Sequence, residues 1–242
     1  MKTIDVVFTV GPGSQWNDNE LRYALRALER HGQGVGEVFV IGHKPDWCLA
    51  VHVPYDDPYP KDKAANLIHK LIYAPVFGEF VYYHDDQILL ADVDLPTLPY
   101  WCKGELSSRN VLDDLYARRL RNTRRLLLDS NCPVWNYDIH APMRMDAGLL
   151  AWIFDGGVGL KWWHQPQGPG IVVKSIYANL LELPPTQERD CLLSPMKVNT
   201  KVDAKRLTEG RPFCSLRPRV PVGVQQWLAE RFPEPSRWEM RP

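Results

Sequence analysis

The chain carries no net charge at neutral pH, since 29 basic side chains balance 29 acidic ones. That excludes a surface that grips any polyanion by total charge, unless the basic residues are gathered in one place. No apolar run approaches the roughly 20 residues needed to cross a bilayer, so no membrane span is expected. The five cysteines are odd in number and include no Cys-x-x-Cys, which removes a disulfide framework and a zinc-ligand pattern. They point instead to free thiols in a reducing, cytoplasmic compartment. The opening MKTIDVVFTV has one lysine and an apolar run broken by Asp5, so it is expected to be a first strand rather than a signal peptide.

What is present suffices for a core. The 242 residues are 45% hydrophobic, enough for one large α/β domain or a domain with a substantial C-terminal addition. The informative stretch is 78–90, GEFVYYHDDQILL. Positions 80–83 suit a buried strand, and the strand ends abruptly in Asp85 and Asp86. Carboxylates at the rim of a buried strand lose solvation and persist where a cation, a metal or hydrogen bonds compensate them. Strand C-termini are also where ligands sit in open α/β sheets. Two readings follow: the pair holds Mg²⁺ or Mn²⁺ against a diphosphate, or Asp85 caps a turn and Asp86 is a solvated loop residue.

Upstream, positions 4–10 read as a strand buried on both faces. It runs into Gly11, Pro12, Gly13 and on to Trp16, a turn whose backbone can approach a ligand closely. The third glycine of a dinucleotide fingerprint is missing, which weighs against a nicotinamide site. Asn17 with Glu20 predicts a capping box. Leu21, Ala24, Leu25 and Leu28 predict the apolar face of a helix that Gly32 stops. Arg22, Arg26 and Arg30 form a row on another face. Arg26 and Arg30 read as a solvated stripe, while Arg22, opposing the helix dipole near the glycine turn, reads as held by an anion. Strands at 37–41 and 51–53 and a helix at 62–74 complete a β-α-β pattern, so an α/β fold with a mainly parallel sheet flanked by helices is predicted.

The second half begins after a proline-broken connection. A helix over 113–128 carries Arg118, Arg119, Arg121, Arg124 and Arg125 with no acid from Leu115 to Leu128. It suits either phosphates or solvent and distant acids. In 135–146 an extended segment places Asp138 and His140 on one face, joined by Arg144 and Asp146 if the alternation survives Pro142. His140 is open to three readings: metal ligand, general base, or core histidine. The loop 156–170, with His164, reads as a lid or acceptor platform. Lys174 and Ser175 are available to phosphate. The chain closes in a short helix and a proline-rich packing strap.

In order, IDVVFTVGPGSQW, the NELRYALR helix, FVYYHDDQILL, His140-Ala141-Pro142 and FPEPSRWE resemble blocks of the Stealth-type proteins. Those are sugar-phosphate transferases of capsule synthesis, related to the lysosomal-enzyme phosphotransferase and similar in fold to GT-A glycosyltransferases. The chain also resembles compact phage-encoded glycosyltransferase-like proteins. The resemblance implies a single GT-A-like (Rossmann-like) domain over 1–242, with a nucleotide- and metal-binding half at 1–95 and an acceptor half and irregular C-terminal addition at 96–242. It implies that Asp85 and Asp86 bind metal, that Glu20 and Arg22 face the site, and that His140 belongs to it. Where the Stealth pattern has an acidic turn after its first strand, this chain has Gly11, Pro12 and Gly13, which favours glycosyl over phosphosugar transfer.

The expectation is thus a metal-dependent glycosyltransferase using a nucleotide-sugar donor, a UDP-sugar first. Gly11, Pro12, Gly13, Trp16 and Asn17 would receive the nucleotide, Trp16 by stacking. Asp85, Asp86 and His140 would hold Mn²⁺ or Mg²⁺. Asp138 would be the base, with Asp146 behind it, and Arg22, Arg144 and Lys174 would offset phosphate charge. The acceptor is a modified DNA base or a polysaccharide. The alternatives are sugar-1-phosphate transfer and a non-catalytic nucleotide- or sugar-binding module.

Overall fold

A computed structural model describes residues 2–59, 62–107, 114–155 and 170–241. Asp113, the expected start of the arginine helix, and the 156–169 part of the expected lid, with His164, lie outside the described residues. In chain order the elements are β1 (Ile4–Val10), α1 (Asn19–His31), β2 (Gly32–Gln33), β3 (Val35–Gly42), β4 (Val51–Val53), α2 (Lys63–Ile72), β5 (Glu79–His84) and β6 (Gln87–Leu89). Then come β7 (Val93–Asp94), β8 (Tyr100–Cys102), α3 (Leu115–Asp129), β9 (Met143–Asp146), α4 (Ala147–Phe154) and α5 (Val173–Leu180). β10 (Pro185–Gln187), β11 (Leu192–Leu193), α6 (Lys201–Thr208), β12 (Phe213–Leu216) and α7 (Val222–Arg231) complete the chain.

The central sheet has the order β4-β3-β1-β5-β9, its first four strands parallel and β9 antiparallel. This is the expected mostly parallel α/β sheet flanked by helices, compatible with a Rossmann-like fold. Period-two geometry explains why β1 is apolar throughout. Val6, Phe8 and Val10 pack with Leu21, Leu25 and Leu28 of α1, while Val7 turns to the other face with Ile68 and Leu71 of α2. β5 divides likewise, Val81 and Tyr83 to the α1 layer and Phe80 and Tyr82 to the opposite one. After β5 the chain leaves this sheet at Asp85-Asp86 and enters a second one, β11-β12-β6. The acid pair therefore sits at a junction of two sheets, where Leu216 N donates to Asp86 O at 2.9 Å. No helix among the described residues is long and apolar enough to cross a membrane, and all five cysteines are unpaired.

Three local expectations are corrected. The Asn17–Glu20 capping box does not form, because Asn17 and Asp18 both have positive φ and carry the chain out of the glycine turn before α1 begins. Ser14 organises this entry instead, its Oγ accepting from Trp16 N and Asp18 N and donating to Glu20 at 2.7 Å. The alternation from Asp138 to Asp146 is broken around Pro142, so that only Met143–Asp146 is strand. The arginine row of α1 is not a solvated stripe. Arg26 grips Glu239 through two bonds of 2.8 Å and also donates to Phe232 O, Arg22 reaches the same carboxylate at 3.1 Å, and Arg30 donates to Arg231 O.

That clamp docks the C-terminal strap. The Glu239 side chain is 1% exposed and also accepts from Ser236 N and Oγ. Removing one partner of such a buried pair strands the other's charge. Glu239→Ala is therefore expected to lower unfolding free energy by about 3–5 kcal/mol in chemical denaturation, while exposed Glu234→Ala changes it by less than about 0.5 kcal/mol. Equal losses would contradict the clamp.

Candidate metal centre and its cleft

β1 and β5 end side by side, with Thr9 paired to His84. Beyond them the glycine turn and the acid pair face each other across the C-terminal edge of the sheet. A cleft of about 400 Å³ runs along this edge, walled by Gly11, Pro12, Lys70, His84 and Asp85 among others. On the far side of His84 lies a second cavity of about 200 Å³, reached by Tyr116, Arg119 and Asp138.

His84, Asp85 and Asp86 each offer one ligand atom, and the three atoms lie within 4.8 Å of one another. Asp86 Oδ1 is buried without a hydrogen-bond partner, and its Oδ2 lies 3.8 Å from His140 Nδ1. Burial, followed by the neighbouring charge of Glu20, pushes the Asp85 carboxyl up to about 6. Burial, then the Asp85 charge, pushes Asp86 up to about 7. The two nearest lysines do not neutralise the pair by contact, because both are committed elsewhere. Lys70 bonds Val10 O at 3.2 Å and Asp57 at 2.7 Å. Lys174 donates to the carbonyls of Ile139 and Ala141.

His84 is held neutral, since burial and the Lys174 cation depress it to about 3. The Tyr82 hydroxyl engages its Nε2. In the tautomer that donates from Nε2 to the phenol oxygen, Nδ1 keeps the lone pair a cation needs. One imidazole and two carboxylates, one of them with an unpartnered buried oxygen, fit a hard divalent cation with open positions.

The expected site residues divide sharply. Glu20, Asp85, Asp86, Asp138 and His140 come together at this edge, and Gly11 and Pro12 line the cleft. Gly13 and Asn17 lie in the same turn, and Trp16 stacks on Tyr23 with ring centroids 5.4 Å apart. His140 stands beside the tight three-residue group rather than in it. Arg22 is not at the phosphate position, because Glu239 and the Trp47 ring hold it. Arg144 is likewise taken by the carbonyls of Pro96 and Leu98.

Asp146 caps α4 through Leu149 N and pairs across from Glu79, at the opposite end of β5. Five residues at ~3.3 Å each put it roughly 16 Å from His84, too far to act as the second base. Lys174 and Ser175 turn inward, Ser175 accepting from Tyr137 N, so neither is open to phosphate. The residues not foreseen are His84, Lys70 and Tyr116. His84 had a readable signal, since extending the strand by one residue puts it on the same rim as the acids. Lys70 and Tyr116 had none, for their partners Asp57 and Asp138 lie on other elements. Comparison with protein-family models and with curated proteins finds no match for the chain.

A carboxyl raised on folding binds protons that the unfolded chain has already released. The destabilisation it causes is absent below about pH 4 and complete above about pH 7. Metal-free protein in chelator is thus expected to lose stability as pH rises through this window. Asp86→Asn should flatten that profile, and Mn²⁺ at pH 7.5 should raise the melting temperature of the parent but not of the variant. Superimposable melting profiles for the two proteins would count against the site.

Proposed function

We propose that the protein is a metal-dependent glycosyltransferase of GT-A-like fold that moves a sugar from a nucleotide-sugar donor, a UDP-sugar first, to a hydroxyl acceptor. The observation that carries this reading is the partnerless buried oxygen of Asp86 among His84 and Asp85, at the mouth of a cleft whose other wall is the glycine turn. His84, Asp85 and Asp86 would hold Mn²⁺ or Mg²⁺, with open positions for diphosphate oxygens. When bound, such an ion stabilises the charge of a departing nucleoside diphosphate.

The remaining work belongs to the chain. Gly11 lets the backbone approach the donor without a side chain in the way. Trp16, with one ring face against Tyr23, has only its other face to offer a nucleobase. Lys70 lines the cleft wall as an ion pair with Asp57. Asp138 is the general base. Its Oδ2 accepts from Tyr116 at 2.6 Å, which orients the group and leaves Oδ1 to take the acceptor's proton. The acceptor oxygen forms its bond to the anomeric carbon as the bond from that carbon to the diphosphate oxygen breaks. The electron pair leaves with the nucleoside diphosphate.

Binding to the folded state alone raises stability by about 2.7 kcal/mol at a hundredfold excess over Kd. A thermal-shift screen of nucleotide sugars is expected to find a donor that stabilises the protein only with Mn²⁺ present and fails to stabilise Asp86→Ala. Turnover should release nucleoside diphosphate. Release of nucleoside monophosphate would replace the reading with phosphosugar transfer. Donor binding that survives Asp86→Ala without turnover would reduce the protein to a binding module.

A further inference from the structure

The second sheet has a cavity of its own, apart from the acid pair. It holds about 440 Å³ and is walled by the end of β6, the turn from α6 to β12 and the last two turns of α7. That size suits a small organic ligand. Leu90 on its wall stands four residues beyond Asp86, at most roughly 13 Å along extended chain.

The wall has an apolar part and a charged part. Leu90, Ala91, Pro212 and Trp227 make up the first. Lys205, Glu209, Arg211 and Arg231 make up the second, beside Thr208, whose hydroxyl is already spent on the carbonyls of Ala204 and Lys205. Arg211 is neutralised, because Glu188 lies 3.1 Å from it. Lys205 and Arg231 differ from it: among the described residues no carboxylate pairs with either.

Arg231 is the group that calls for a ligand. It is half-buried, its Nη2 donates to Leu90 O at 2.6 Å, and its Nε is buried with no partner. Burial, then the charge of Arg30, holds its pKa below the usual arginine value. A guanidinium taken out of water without a counter-ion is costly. The C-terminal end of α7, where it sits, offers only partial negative charge. Lys205 and Glu209, both exposed, stand at the rim. Set against Glu209, Lys205 and Arg231 leave a single positive charge over.

We propose that this cavity binds a small organic carboxylate with an apolar body, separately from the candidate metal centre. The carboxylate accepts from the Arg231 guanidinium, a charge-assisted bond, and Lys205 adds attraction from the rim. The apolar body lies against Trp227, Leu90 and Pro212, which removes those surfaces from water. A phosphate monoester carries close to two negative charges and would bring the second one toward Glu209. The site needs no metal and does not rest on the transfer reading.

Isothermal titration calorimetry of the protein in chelator tests the site, with phenylacetate as the probe and acetate and phenyl phosphate for comparison. Phenylacetate is expected to bind once per chain, more tightly than acetate, which has the charge without the ring. Arg231→Gln should weaken it about tenfold or more, the loss expected of a hydrogen bond to a charged group, and Arg231→Lys should weaken it less. Lys205→Gln should also weaken it, whereas Glu209→Gln should tighten it. Opposite effects of two exposed, neighbouring substitutions separate charge from folding. Asp86→Ala should bind phenylacetate as the parent does.

Failure of phenylacetate to saturate, binding that Arg231→Gln and Lys205→Gln leave unchanged, or tighter binding of phenyl phosphate overturns the assignment. Loss of phenylacetate binding in Asp86→Ala also overturns it, by moving the anion to the acid pair. Because no donor or metal is present, failure of the nucleotide-sugar thermal shift leaves this site standing.

Discussion

The structure is organised around a concentration of negative charge that its own lysines do not contact. Glu20, Asp85 and Asp86 share the rim where β1 and β5 end; the charge of Glu20 raises the cost of ionising Asp85, and the charges of Asp85 and Glu20 raise that of Asp86. Burial there removes the water that would otherwise screen them. Backbone carbonyls and Asp57 hold the nearby ammonium groups. The site stays assembled because the strands that carry it are among the most completely buried parts of the protein, apolar on both faces and covered by α1 and α2. Repulsion at the rim is offset by packing beneath it, which is the arrangement expected of a preorganised ion site.

Placement also separates two sets of arginines that look alike as text. Both α1 and α3 carry guanidinium groups at helical spacing. On α1 they converge on one buried carboxylate, Glu239, 213 positions beyond Arg26, so they serve to hold the strap. On α3, Arg125 instead bonds Asn122 within its own helix and stays at the surface. Which partner an arginine reaches depends on what the fold brings beside it, and helix periodicity carries no information about that.

The same reasoning explains which site residues were legible. Asp85 and Asp86 are neighbours by covalent bonding, and the end of an apolar run placed them on a rim. Glu20 bonds Ser14 of the glycine turn and does not enter a capping box with Asn17. His140 and Asp138 arrived close together because they are only two residues apart in the chain. Asp146 and Arg144 did not, because the break around Pro142 and the antiparallel register of β9 carry them toward the opposite end of β5. A shift of register or direction moves a side chain many ångströms with no change in local pattern.

By itself the sequence determined the short-range matters of the N-terminal half: its main strands and helices, the mainly parallel sheet flanked by helices, and an acid pair at the end of one strand. Those follow from periodicity and from bonds between adjacent residues. Only the tertiary structure decided that His84 completes the acid pair, that Lys70 and Lys174 are tied away from it, that Arg22 belongs to Glu239, and that Asp146 sits at the wrong end of the strand. Each of those depends on a partner brought from far along the chain, and the burial that perturbs a carboxyl or orphans an oxygen exists only once the separate elements have packed.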